Sequence, residues 1–231
     1  MIHILWPTIR PLEFIKMHEQ WISRSSKSDI KTYVVVNTEE DLEIIKKSVT
    51  DIFIIKEQTD NIGVCYPAYK LTSNIGILFG ECSEYDIIIL ASDDFLPPLN
   101  WDLYLINKLK NKGNVGLFVR DGYQLPDSSN MIHPAITLPI MTYGSLLMLN
   151  RYIYHPAYTH MFSDCELYDN LKDLGILYDD RLNDDTIFEH LHYAAGKRIM
   201  DDADVSYNKK WISDQITWNN RKKLNILDRI K

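Results

Sequence analysis

Hydrophobic positions in the first half of the chain come in two rhythms. Short apolar runs, "IHILW" (2–6), "KTYVVVN" (31–37), "DIFIIK" (51–56) and "YDIIILAS" (85–92), are rich in β-branched residues and predict strands. Between them lie stretches with apolar residues at helical spacing: "PLEFIKMHEQWISRS" (11–25), "TEEDLEIIKKSV" (38–49) and "PAYKLTSNIGILFGEC" (67–82). Pro11 suits a first helical turn, and Thr38 followed by Glu39, Glu40 and Asp41 suits a helix N-terminus. Continuously apolar strands separated by helices mean a mostly parallel central sheet covered on both faces, an α/β fold.

The second half is less regular. "VGLFVRDG" (115–122) predicts a strand leading to a turn, and "AITLPIMTYGSLLMLNRYIY" (135–154) mixes strand-like runs with turns. "SDCELYDNLKDLG" (163–175) predicts an amphipathic helix ended by Gly175, and "TIFEHLHYAAGK" (186–197) begins as a short strand. Residues 199–231 are polar and aromatic, with a basic run at Arg221, Lys222 and Lys223, and predict a C-terminal helical appendage or lid. No repeat, low-complexity tract or linker divides the chain, so residues 1–231 are read as a single domain.

This arrangement gives one stretch a location. In parallel sheets, ligands bind beyond the carboxyl ends of the strands. "IIILASDDFLPPLNWD" (87–102) places Asp93 and Asp94 at the carboxyl end of the fourth strand, and "WPTIRP" places Pro7, Thr8 and Arg10 at the carboxyl end of the first. The acidic pair caps the following turn or coordinates a hard divalent cation. Thr8 and Arg10 offer a hydroxyl and a fixed cation suited to a diphosphate, or form an ordinary strand-to-helix turn. In "FEHLH", His190 and His192 would share a strand face, as metal ligands or as polar surface. In "FSDCEL", Asp164 and Glu166 complement a helix dipole, or one of them is a general base. Trp101 and Asp102 are read as structural.

The totals narrow the classes. The chain has 231 residues, a net charge of -7 and three cysteines, Cys65, Cys82 and Cys165. That balance does not indicate a broad nucleic-acid surface, and an odd cysteine count without paired spacing indicates neither a disulfide framework nor a zinc site. No segment reaches about 18 apolar residues, so no membrane span is expected, and a cytoplasmic location fits the cysteines and the absence of a leader pattern.

Taken together, "PTIRP", "LASDDF", "SDCEL" and "FEHLH", in this order, resemble a family 2-type glycosyltransferase of the GT-A fold, most similar to the small transferases of bacteriophage and bacterial genomes. The resemblance runs over about residues 2 to 200. It implies a nucleotide contact at Pro7, Thr8 and Arg10, a nucleotide-proximal or structural Asn74, and the acidic metal motif at Ser92, Asp93 and Asp94, with Ser92 and Asp93 on its nucleotide side and Asp93 facing the ribose or metal. Asp94 would be the principal ligand of Mn2+ or Mg2+, with His190 a further metal or diphosphate contact and His192 next in line. Asp164 matches the family's catalytic base, with Glu166 beside it. The sequence departs from the family where Ser92 replaces an acid, where Ser163 precedes Asp164 in place of a Glu, and where a single Gly144 stands for a Gly-Gly pair.

The resemblance implies transfer of a sugar from a nucleotide-diphosphate donor, a UDP-sugar by default, to an acceptor hydroxyl with inversion. The acceptor would be a saccharide, lipid, protein or modified DNA base. Two alternatives stand beside this. One is a phage-type DNA glycosyltransferase acting on a hydroxylated base, with Lys209, Lys210, Trp211 and the run 221–223 on the phosphate backbone. The other is a non-catalytic nucleotide-sugar binding module, suggested by Ser92 and Ser163. A metal-dependent nuclease or phosphatase would need a two-metal carboxylate cluster that the sequence does not supply.

Overall fold

The computed structural model describes residues 1–26, 28–56, 63–75, 80, 82–110, 112–124, 133–183 and 185–231. The first half runs β1 (Ile2–Pro7), α1 (Pro11–Ser23), β2 (Ile30–Val36), α2 (Glu39–Ser48), β3 (Ile52–Lys56), α3 (Cys65–Ser73), β4 (Ile87–Leu90), β5 (Phe95–Leu96) and α4 (Trp101–Leu109). The second half runs β6 (Gly116–Phe118), β7 (Ile140–Thr142), α5 (Tyr143–Met148), α6 (Ser163–Asp173), β8 (Leu177–Asp179), β9 (Glu189–His190), α7 (Asp202–Asn208), α8 (Trp211–Arg221) and α9 (Ile226–Arg229).

Seven strands form one sheet in the order β3-β2-β1-β4-β7-β6-β8, and β5 pairs with β9 in a separate ribbon. All neighbours in the large sheet are parallel except those of β7, which runs against both β4 and β6. Side chains alternate between two cores. Leu5, Tyr33, Val35, Ile88 and Leu90 face one; Ile4, Trp6, Val34, Val36, Ile87 and Ile89 face the other. Helices α3, α5 and α6 cover the first face, and α1, α2 and α4 the second. Each fully buried side chain of this kind contributes roughly 1.5–3 kcal/mol by leaving water. Gly116 lets α6 lie close on β6, because a Cβ there would stand 2.4 Å from the Leu171 side chain. That contact seats the helix whose first turn carries Asp164.

Several elements are shorter than the pattern predicts, each for a local reason. α1 ends at Ser23, because Ser26 and Ser28 turn to bond the buried Asp102 carboxylate at 2.6–3.2 Å. The third helix is described over Cys65–Ser73, and residues 76–79 and 81 of its predicted extent lie outside the described residues. β6 stops at Phe118, because Asp121 starts a turn in which its carboxylate accepts the Tyr123 and Gln124 N–H groups at 2.8 and 2.6 Å. Within 135–154, only Ile140–Thr142 is strand. Thr142 then caps α5 by accepting the Ser145 N–H at 3.3 Å.

The tail is three helices, tied down by buried charge. The Asp214 carboxylate of α8 accepts the N–H groups of Thr159, His160 and Met161 at 3.0, 2.9 and 2.8 Å. Arg221 holds Glu166 with Nε–Oε2 and Nη2–Oε1 contacts of 2.9 Å each, and Arg229 pairs with Asp173. The appendage therefore anchors the loop and helix on which Asp164 stands. No helix among the described residues is long and apolar enough to cross a membrane.

Candidate functional site

The chain goes from β1 outward through β2 to β3, then returns to β4 on the other side of β1. The strand order reverses between β1 and β4, and the crevice beyond their carboxyl ends is where such sheets bind ligands. β1 delivers Pro7, Thr8 and Arg10 to this crevice, and β4 delivers Ser92, Asp93 and Asp94.

A relay of hydrogen bonds joins the two loops. The Arg10 N–H donates to Thr8 Oγ1 at 3.0 Å, and that hydroxyl donates to Asp93 Oδ2 at 3.2 Å. Arg10 Nη1 donates to Asp93 Oδ1, also at 3.2 Å. Burial pushes the Asp93 carboxyl up to about 6 despite the Arg10 guanidinium, with the neighbouring Asp94 charge adding to the rise.

Asp94 behaves in the opposite way. Burial opposes its charge, but His190, Ser92 and Arg198 outweigh it and hold the carboxyl well below the usual range. His190 Nε2 lies 3.3 Å from Asp94 Oδ2, and Arg198 Nη2 lies 3.9 Å from the same oxygen. The Ser92 hydroxyl donates to Asp94 Oδ1. Ser92 therefore orients Asp94, where an acid would repel it. His190 reaches this place because β9 pairs with β5, setting His190 opposite Phe95 with the rings stacked at 4.2 Å. Its Nδ1 is buried and has no hydrogen-bond partner among the described residues.

His192 does not share a strand face with His190, since β9 ends at His190. The rings still lie 4.9 Å apart, but His192 Nδ1 caps the next turn by accepting the Ala194 N–H at 3.2 Å. Asn74 caps the end of α3, its Nδ2 donating to the Lys70 carbonyl at 2.8 Å. Glu166 is committed to Arg221 and to the Tyr158 hydroxyl, which donates to it at 2.7 Å. None of the bonds described for Asn74 or Glu166 reaches the acidic pair.

Asp164 lies two residues after Phe162, which takes a left-handed φ of 64° that a phenylalanine rarely adopts. Such local strain is concentrated at functional sites. Burial raises the Asp164 carboxyl above its usual range, against the Cys165 N–H and the charge of nearby His190. Burial pushes the Tyr154 hydroxyl well up, and the Asp164 and Asp94 charges add to the rise.

Four further groups, Arg198, Asp201, Asp204 and His160, belong to the cluster and were not legible in the sequence. Arg198 Nη2 donates to Asp204 Oδ1 at 2.8 Å. Arg10 Nη2 donates to Asp201 Oδ1 at 2.8 Å and to Asp204 Oδ1 at 3.4 Å. The capping-box acids of α7 thus hold both guanidinium groups at the crevice. "DDAD" advertises a helix start, but nothing in it names Arg10 as a partner. His160 is also present: burial holds its imidazole down at about 4, its ring stacks on Tyr207 at 3.7 Å, and it lies in the field of Asp94 and Arg10.

No family model matches the chain, and no curated protein matches it in sequence. Solved structures do match its fold. TarS of S. aureus in complex with UDP superposes with a TM-score of 0.53 at 13% identity, over 77% of this chain and 57% of that one. A mannosyltransferase from Pyrobaculum calidifontis in complex with GDP-Man and Mn2+ gives 0.54 at 11% identity, over 78% and 55%. The chain spans roughly half the length of the solved proteins it matches. The strand order, the crevice between β1 and β4, and these superpositions together give the chain the GT-A fold of nucleotide-sugar glycosyltransferases.

Proposed function

We propose that the chain is an enzyme that transfers a sugar from a nucleoside-diphosphate donor, a UDP-sugar by default, to an acceptor hydroxyl. The observation that carries this reading is the convergence of Arg10, Arg198, Asp93, Asp94 and His190 at the β1–β4 crevice. Two guanidinium groups suit a diphosphate, because each planar fork can donate to two of its oxygens. In the structure described, Asp201 and Asp204 engage those guanidinium groups, as the oxygens of a diphosphate would. Solved proteins of the same fold carry UDP in one case and GDP-Man with Mn2+ in another, which supports the class of donor.

A divalent cation fits the donor set. Asp94 Oδ2 and His190 Nε2 face each other, an oxygen and an imidazole nitrogen of the kind that bind Mn2+ or, less readily for the imidazole, Mg2+. Among the described residues no third His, Cys, Asp or Glu donor converges with them, which leaves positions for a donor's own oxygens. The ion would neutralise charge on the departing diphosphate.

The chain's own residues account for the remaining work. Pro7 and Thr8 line the nucleotide side, and Arg10 and Arg198 grip the diphosphate. Ser92 and His190 orient Asp94. Asp164 accepts the proton of the acceptor hydroxyl as that oxygen bonds the anomeric carbon and the carbon–diphosphate bond breaks on the opposite face, giving inversion. The raised Asp164 carboxyl is a stronger base than an exposed aspartate would be. Proton NMR of the first-formed product checks the stereochemistry; a retained anomeric configuration overturns the single displacement.

A second reading concerns the acceptor. Lys209 and Lys210 are exposed beside the half-exposed Trp211 at the start of α8, and Lys222 and Lys223 are exposed at its end. That arrangement supports a hydroxylated base in duplex DNA as acceptor. A salt-dependent gel shift with duplex DNA favours it, and no shift at low salt removes it. A non-catalytic binding module is separated from an enzyme by donor hydrolysis that Asp94→Ala abolishes.

A further inference from the structure

A second cluster of ligating side chains lies at the opposite end of the sheet. His3 is near the amino end of β1, Asp86 immediately precedes β4, and Cys82 lies in the connection before it. The His3 Nε2 to Asp86 Oδ2 distance is 3.5 Å, the Cys82 Sγ to His3 Nε2 distance is 4.0 Å, and the three donor atoms all lie within 4.8 Å of one another. A Zn2+ ion binds sulfur at about 2.3 Å and nitrogen or oxygen at about 2.0–2.2 Å, so two tetrahedral ligands of one ion stand roughly 3.3–3.7 Å apart. The His3–Asp86 separation already lies in that range, and the Cys82 sulfur would have to draw in by side-chain adjustment.

We propose that His3, Cys82 and Asp86 form a structural site for Zn2+ or a cation of similar softness. It is independent of the donor site, which sits at the other ends of the same two strands. The donor set is mixed, with thiolate, imidazole and carboxylate, and that combination selects zinc over the hard Mg2+. Asp86 Oδ1 is occupied by the Met1 amino group at 3.0 Å, and Oδ2 accepts the Ser83 N–H at 3.0 Å while facing His3. A metal there would clip the start of β1 to the chain entering β4, beneath the pair of strands whose far ends carry Arg10 and Asp94.

Cobalt titration of the whole chain tests the site, because a thiolate bound to Co2+ gives a charge-transfer band in the near ultraviolet that oxygen and imidazole ligands do not. The expected result is a saturable band in the wild-type protein and in Asp94→Asn, abolished by Zn2+ and absent in Cys82→Ser. In the Asp94→Asn background, where the crevice cation site is removed, the same Zn2+ should raise the Tm, and in Asp94→Asn/Cys82→Ser it should leave the Tm unmoved. A folded wild-type protein that gives no band, a band that persists in Cys82→Ser, or a Tm rise that persists in Asp94→Asn/Cys82→Ser overturns the proposal. The Asp94→Asn arm keeps the result separate from any failure of the glycosyltransferase reading.

Discussion

His190 Nε2 stands 3.3 Å from Asp94 Oδ2, although one residue is at the end of β9 and the other just beyond β4. The short β5–β9 ribbon makes the meeting possible, and the Phe95 ring fixes the imidazole plane. If this pair holds the divalent cation, His190→Gln should raise the Mn2+ concentration for half-maximal donor hydrolysis on the order of 10-fold or more, as loss of a metal-site residue does. A metal titration of hydrolysis checks this, and an unchanged midpoint would remove His190 from the metal.

Asp164→Asn should retain donor binding and lose transfer by roughly 100-fold or more, the size of a general-base contribution. The base acts when deprotonated, and burial raises its pKa. The acidic limb of the kcat profile should therefore fall at a higher pH than an ordinary carboxylate would give. In Asp164→Asn the residual rate should lose that limb. A profile with the same limb in both proteins assigns the proton transfer elsewhere.

Asp93 carries a cost that can be read against pH. Its folded pKa is raised to about 6, above the unfolded value of about 3.9. The folded state binds this proton more tightly, so stability from the group is full below about 4 and is lost as pH rises through about 6. Asp93→Asn mimics the protonated form. It should raise the Tm relative to wild type at pH 8 and make little difference at pH 4, in thermal melts without donor or metal. A lower Tm at pH 8 would mean that the Arg10 contact outweighs the burial of charge.

Much of this crevice is legible in the sequence. Apolar strand runs set beside Pro7–Arg10 and Ser92–Asp94 gave both loops their side of the sheet, because a parallel α/β order leaves only one place for carboxyl ends. The antiparallel course of β7 was not legible: Ile140–Thr142 is apolar throughout, and a buried strand reads the same in either direction. Arg198, Asp201 and Asp204 were missed because their importance lies in partners far along the chain, Arg10 and Asp94. Glu166 shows the converse. Its place in a first helical turn resembles a catalytic acid's, but a tertiary partner, Arg221, claims it.

That partnership makes its own prediction. Glu166 is almost fully buried against Arg221, and breaking a buried ion pair leaves an uncompensated charge at a cost of roughly 3–5 kcal/mol. Arg221→Ala should lower stability by that order in denaturant unfolding. It should also expose Arg198, Lys209 and Lys210 to trypsin sooner. Unchanged proteolysis would show that Asp214 and Arg229 hold the tail without it.

The central claim, a nucleoside-diphosphate sugar held and cleaved at the β1–β4 crevice, is tested most directly by measuring nucleoside diphosphate released from a panel of UDP- and GDP-sugars, with Mn2+ and with EDTA. Release from at least one donor that requires Mn2+, is slow without an acceptor, and disappears in a folded Asp94→Asn protein is the predicted result. A folded wild-type protein that neither binds nor cleaves any donor in the panel with any divalent metal, or that cleaves one equally well as Asp94→Asn, would contradict it.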